Sequence, residues 1–151
     1  MNFYPAYICE NGHAISVAKF TCYDKFCSTC GAPVIHQCPE CKAAIKGHDV
    51  GCCGYYEVPA YCTTCGAPYP WTAKAIDAAL LVLAEDENIT TEECNRIGEV
   101  ISDVLVETPK TQLAAVRIKK ALNVVGSVTG EALKQLIVDY GCEAIKLLLG
   151  L

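Results

Sequence analysis

The chain has 151 residues, a formal net charge of −5 and a pI near 5.1, with 52% hydrophobic and 19% charged residues. That length allows one ordinary domain or two very small ones, and the composition excludes a disordered chain. The acidic balance disfavours a protein that coats nucleic acid through its phosphates, and the lack of any apolar run of about 18 residues excludes a spanning helix. Twelve cysteines are the outlier. The opening MNFYPAYICENGH has none of the basic–apolar–small pattern of a secretion signal. A cytoplasmic location is therefore expected, where thiols stay reduced and dense cysteine points to metal rather than disulfides.

Composition changes sharply near Trp71. Residues 1–71 hold 10 of the 12 cysteines, all three histidines, 11 of the 12 aromatics and 6 of the 7 prolines. This half reads as short strands and turns, and residues 72–151, rich in Ala, Leu, Val, Ile, Glu and Lys, read as helices. The fold class expected is α+β, a metal-stapled double zinc ribbon over 1–71 followed by a four-helix bundle or oligomerisation domain over 72–151. Each half is near the size at which a fold needs staples or a partner.

In chain order, the first ligand pair is Cys9 and His13, followed by Ala14-Ile15. Next comes Phe26-Cys27-Ser28-Thr29-Cys30-Gly31-Ala32-Pro33, which returns 35 positions later as Tyr61-Cys62-Thr63-Thr64-Cys65-Gly66-Ala67-Pro68. Between them lies Cys38-Pro39-Glu40-Cys41, followed by Lys42-Ala43-Ala44-Ile45. A Cys-x-x-Cys turn presents two thiolates on one side of a tight loop, and two such pairs make the tetrahedral donor set that zinc prefers. The repeat favours sequential sites: Cys9, His13, Cys27 and Cys30, then Cys38, Cys41, Cys62 and Cys65. Nested or cross-braced pairings remain open, because spacing alone does not fix connectivity. Two zinc ions per chain are expected. Four protein ligands leave no position for substrate, so both sites read as structural and no catalytic residue is assigned.

Cys22, His36, His48, Cys52 and Cys53 fall outside these sets. His48 with Cys52 or Cys53 has the ingredients of a thiol–imidazole pair, but a Gly-rich hairpin tip with small inert thiols is the plainer reading. His36 reads as a strand residue, and the aromatics as cover for a thin core. Residues 1–71 carry only four lysines and no arginine against five acids, a poor nucleic-acid footprint.

Four helices are expected in the second half. The first runs from about Thr72 to Asn88, with apolar positions Ile76, Leu80, Leu83 and, between turns, Leu81. The second opens on the capping box Thr90-x-x-Glu93 and carries Ile97, Val100, Ile101, Val104 and Leu105. The third opens on Thr108-Pro109, carries Leu113, Val116, Leu122 and Val125, and ends at Gly126. The fourth starts near Thr129 and carries Leu133, Leu136, Ile137, Tyr140, Ile145 and Leu148. Cys94 and Cys142 read as core or interface thiols. Arg117, Lys119 and Lys120 form the basic cluster, read as a solvated face. The apolar C-terminal segment from Ile145 to Leu151 suggests docking in the bundle or in an oligomer, with a membrane surface as the alternative.

Taken together, Tyr7-Ile8-Cys9-Glu10-Asn11-Gly12-His13, Phe26-Cys27-x-x-Cys30-Gly31, Cys38-Pro39-x-Cys41 and the run from Tyr61 to Pro68-Tyr69-Pro70-Trp71 resemble an uncharacterised bacterial family of small zinc-ribbon proteins. The resemblance covers most of the chain. It implies a bacterial cytoplasmic protein and the same eight ligands, and it supplies no activity. The function expected is a noncatalytic adaptor or regulator, with the ribbons as recognition head for a protein partner and the helices for docking or self-association. A nucleic-acid-associated regulator is the alternative, and a thiol enzyme or membrane-acting effector a third.

Overall fold

A computed structural model describes residues 2–52 and 54–151. The chain divides into two compact units, Met1–Lys74 and Ala75–Leu151. The first holds five short strands: β1 (Phe3–Pro5), β2 (Tyr7–Cys9), β3 (Ala14–Ser16), β4 (Val34–Ile35) and β5 (Lys46–Asp49). They form two small antiparallel sheets, β1–β5 and β3–β2–β4. In the second sheet Ile8 faces both Ala14 and Ile35, and Cys9 faces Val34. The strands are short because turns carrying the cysteines interrupt them every few residues. Few apolar side chains are left to bury: Ala6, Ile8, Ile45, Tyr69 and Trp71 form one cluster with Cys38 and Cys62, and Val17, Ile35, Tyr56 and Val58 pack against it.

The second unit is helical. α1 (Pro70–Ala84) begins in the first unit and continues into the second; α2 (Thr91–Gly98), α3 (Ser102–Leu105), α4 (Thr111–Val124), α5 (Ser127–Tyr140) and α6 (Glu143–Leu149) follow. α4 packs against α2, α3 and α6. Its inner stripe is Thr111, Ala114, Ala115, Ile118 and Ala121, spaced for one helical face, and the small residues let neighbouring backbones approach. Leu83, Ile97, Val100, Ile101, Val104, Leu133, Ile137 and Ile145 complete the core.

The helical region is as the periodicity implies, with two of its four spans divided. The second breaks into α2 and α3 after Gly98, where Val100, Asp103 and Val104 donate to carbonyls three residues back. These tight turns set Val100 and Ile101 into the core together. The fourth breaks into α5 and α6 because the Cys142 N–H leaves the helix to donate to Val104 O at 2.9 Å. α1 stops four residues short of Asn88, since the Asp86 carboxylate accepts the Asn88 N–H at 2.9 Å and turns the chain. The other oxygen of Asp86 accepts the N–H of Gly126, the residue that N-caps α5, which therefore starts at Ser127 rather than Thr129. The capping box at Thr90 and Glu93 is formed in both directions. Thr108 and Pro109 do not open the helix: Thr108 accepts the Lys110 N–H in the preceding turn, the N-cap is Lys110 without a side-chain cap, and α4 begins at Thr111.

The inward face of α4 differs from the expectation. Leu113 and Val116 are 44% and 52% exposed, and the buried positions are the alanines and Ile118. Large side chains at 113 and 116 suggest a stripe, but the alanines two helices can close upon lie on the other one. Tyr140 and Leu148 are likewise nearly half exposed, whereas Ile145 is fully buried and seats α6 in the core.

Candidate metal centres

Three turns in the first unit share one backbone device. Phe26 bridges Pro33, Gln37 bridges Ala44 and Tyr61 bridges Pro68, each bridge closing a loop around a Cys-x-x-Cys pair. Inside each loop the leading cysteine donates its N–H five residues ahead, Cys27 to Ala32, Cys38 to Ala43 and Cys62 to Ala67. Its carbonyl accepts from the residue after the second cysteine: Gly31, Lys42 or Gly66. The sequence repeat shows two copies of this device, and the backbone adds the third, with Lys42 in the glycine position. Lys42 adopts φ +62°, the left-handed region that costs an L-residue about 1–2 kcal/mol. Its ammonium donates to Pro39 O across the loop.

The turn that carries Cys9 and His13 is built differently. Cys9 ends β2, its N–H donates to His13 O, and its carbonyl accepts from Gly12. Pairing of β4 beside β2 then carries the Cys27–Cys30 loop to this turn, with the Glu10 N–H donating to Pro33 O. Trp71 backs the turn: its ring stacks on Tyr69 with centroids 4.8 Å apart, and its Nε1 donates to Pro59 O at 2.9 Å.

The result is two clusters. Cys9, His13, Cys27 and Cys30 bring their ligand atoms within 4.8 Å of one another, and so do Cys38, Cys41, Cys62 and Cys65. These are the sequential groupings. A tetrahedral cation bound to sulfur at about 2.3 Å sets its sulfurs roughly 3.8 Å apart. Cys9 and Cys30 are 3.7 Å apart, Cys41 and Cys62 3.7 Å, and Cys38 and Cys65 3.8 Å. His13 presents Nδ1, at 3.4 Å from Cys9 Sγ and 3.6 Å from Cys27 Sγ. Both sites can thus hold a metal ion. In each, two ligands are buried and two exposed.

The electrostatics favour a cation. Burial raises Cys27, but the N–H groups of Thr29 and Cys30 outweigh it and bring the thiol down to about 6. The N–H groups of Cys65 and Thr64 bring Cys62 down to about 6. Cys65 receives the Ala67 N–H, yet Cys41, burial and the other two thiols push it up to about 12. The Cys30 and Cys27 sulfurs raise the His13 imidazole. Sulfurs this close keep protons between them, and a dication replaces those protons.

The remaining candidates stand apart from both clusters. Cys22 donates to Asp24, and the His36 ring stacks on Tyr7 at 5.1 Å. His48 meets Tyr56 edge-on at 5.5 Å, and Cys52 is exposed in a turn closed by its N–H on Asp49 O. Among the described residues no hydrogen bond joins His48 to Cys52; Cys53 lies outside them. Cys94 and Cys142 pack against the helical core. In the basic cluster, Arg117 is paired with Glu99 at 2.9 Å, while Lys119 and Lys120 are exposed. The sequence reading missed Asn11 and Lys74: Asn11 Nδ2 donates to Cys30 Sγ at 3.5 Å, and Lys74 holds Asn11 Oδ1 at 3.1 Å and Glu10 at 3.4 Å. The Asn at the centre of Cys-x-x-Gly-His was the available signal.

Among the described residues no helix is long and apolar enough to cross a membrane. No curated protein and no solved structure matches the chain. A family model does match, over residues 2–149, and the chain belongs to that family, described as uncharacterised protein conserved in bacteria (DUF2321).

Proposed function

We propose that this protein is a zinc-binding, noncatalytic adaptor or regulator of the bacterial cytoplasm. Cys9, His13, Cys27 and Cys30 hold one zinc ion, and Cys38, Cys41, Cys62 and Cys65 hold a second. The observation that carries the reading is closure: each cluster offers four protein donors, so a tetrahedral ion has no position left for water or substrate. Sulfur-rich tetrahedra with an imidazole suit zinc over harder cations. What such ions supply is folding free energy, which the thin ribbon core needs.

The ribbons, over 1–71, act as the recognition head. Phe20, Tyr23, Phe26 and Tyr55 are 61–93% exposed on that unit, a density of aromatic surface suited to anchoring in a protein partner. The helices, over 72–151, serve docking or self-association. Native mass spectrometry of the full chain, with zinc added and after chelation, tests the metal reading, and two ions per chain is the expected count. Capture of a protein partner that fails when Cys62 or Cys65 is changed supports the adaptor role. Unimpaired partner binding by the metal-free chain refutes it.

A further inference from the structure

We propose that the two sites are chemically unequal, and that the outer thiolates of the four-cysteine site, Cys41 and Cys65, are a site of oxidative modification by hydroperoxides. The inference rests on the zinc reading above. Both clusters expose two ligands, but the exposed ligands differ. In the first site they are His13, which resists mild oxidants, and Cys30, whose sulfur accepts the Asn11 amide under the Lys74 ammonium. A donor on a thiolate drains its nucleophilicity, and a neighbouring cation offsets the surplus charge.

Among the described residues the second site shows no such side-chain donor: Cys65 accepts the backbone N–H of Ala67, and the Lys42 ammonium is engaged by Pro39 O. Its first turn carries Pro39 and Glu40 where the first site carries Glu10 and Asn11, so no amide side chain comes from that turn. Cys41 and Cys65 have the cluster's own thiols, Cys62 and Cys38, as sulfur neighbours at 3.7 and 3.8 Å. Four thiolates around a dication leave a formal surplus of two negative charges, against one for three thiolates and an imidazole. The turn that presents Cys41 is also the one closed by Lys42 at φ +62° rather than by glycine. Charge, access and backbone strain therefore all favour attack at the second site.

The step balances on the chain's own atoms. The Cys41 thiolate attacks one oxygen of the peroxide, the O–O bond breaks, and a sulfenic acid and hydroxide form. The Cys62 thiolate then attacks that sulfenic sulfur, forming the Cys41–Cys62 disulfide and expelling a second hydroxide. Two sulfurs are oxidised, one peroxide is reduced by two electrons, and solvent protons take both hydroxides to water. Cys65 with Cys38 gives the equivalent pair. Either disulfide removes two of the four donors, and the ion is lost.

The test uses the full chain loaded with two zinc ions and titrated with hydrogen peroxide. A chromophoric chelator reports released zinc, and differential alkylation with mass spectrometry locates the oxidised sulfurs. The expected result is loss of one zinc with a disulfide among Cys38, Cys41, Cys62 and Cys65, at least about tenfold faster than oxidation of Cys9, Cys27 or Cys30. Asn11→Ala should speed the first site's oxidation by about tenfold and narrow the gap. Simultaneous loss of both ions, earlier oxidation of the first site, or zinc release without those disulfides overturns the inference while leaving the metal reading intact. A chain that binds no zinc overturns both.

Discussion

Gly12 and Gly31 occupy equivalent strain but unequal space, and the difference yields a measurable pair of substitutions. Both have positive φ, +88° and +72°, in the two turns of the first site. An alanine at either position costs about 1–2 kcal/mol for the left-handed backbone. A Cβ at Gly31 meets nothing within 4 Å, whereas a Cβ at Gly12 falls 3.2 Å from Trp71 Cβ and 3.3 Å from Cγ. Trp71 cannot retreat freely, because its ring is stacked on Tyr69 and its Nε1 is bonded to Pro59 O. Overpacking there adds about 1–3 kcal/mol. Gly31→Ala should therefore weaken zinc retention at the first site by about 5- to 30-fold, and Gly12→Ala, at about 2–5 kcal/mol, by roughly 30- to 4,000-fold. Competition against a chelator of known affinity measures both, with the second site as internal reference. Equal losses for the two variants would refute the steric term, and wild-type retention by Gly12→Ala would refute the whole argument.

Other consequences are open to simpler assays. Chelation should unfold the ribbon unit, since a structural zinc contributes about 10–16 kcal/mol and a whole small domain is stable by only about 5–15. Trp71, the only tryptophan and 8% exposed, should redshift in emission while helical circular dichroism persists; an unchanged emission contradicts this. Asp86 is held down to about 2, chiefly by the Thr129 hydroxyl and by the N–H groups of Asn88 and Gly126. A depressed carboxylate stabilises the fold above its unfolded value of about 3.9 and loses that contribution as pH falls through the folded value. Asp86→Asn should thus be less stable than the parent at pH 7, with the difference shrinking from about pH 5 to about pH 2 in urea titrations; a pH-independent difference speaks against it. On α4, Ile118→Ala should cost about 2–5 kcal/mol and Val116→Ala less than about 0.5, because Ile118 is fully buried and Val116 52% exposed. The reverse order in thermal melts would mean that the inward face is misassigned.

The eight clustered residues were legible because the turns that carry them are local. A Cys-x-x-Cys turn is encoded within about eight residues, and the repeat from Phe26 to Pro33 and Tyr61 to Pro68 exposes it directly. The third copy was harder to see, since Lys42 replaces the glycine and only its backbone angle reveals the shared turn. The helix start capped by the Thr90 side chain was also readable. What escaped were effects that join distant residues. The α5 start depends on Asp86, 40 residues away, and the α5–α6 break on Val104 O. The buried face of α4 is chosen by what its neighbours can approach, so alanines won over Leu113 and Val116. Asn11 escaped because its role needs both Cys30 and Lys74 beside it.

The two units bury their apolar surface by different means, and this gives the proposed inequality of the candidate metal sites a structural consequence. Helical packing supplies the second unit with its own apolar core, built from Leu, Ile, Val and Ala. In the first unit Cys38 and Cys62 belong to the core cluster itself, alongside Ile8, Ile45, Tyr69 and Trp71, whereas Cys9 and Cys27 are buried outside it. Losing the ion at the second site therefore removes the anchor of two core residues. Losing the ion at the first frees a turn that Trp71 and the β2–β4 pairing still hold. If the second ion leaves first, the aromatic surface of the ribbon is dismantled with it, and partner binding should fall in step with oxidation of Cys41 and Cys65. Binding that survives loss of that ion would separate recognition from the core and place it on the first ribbon alone.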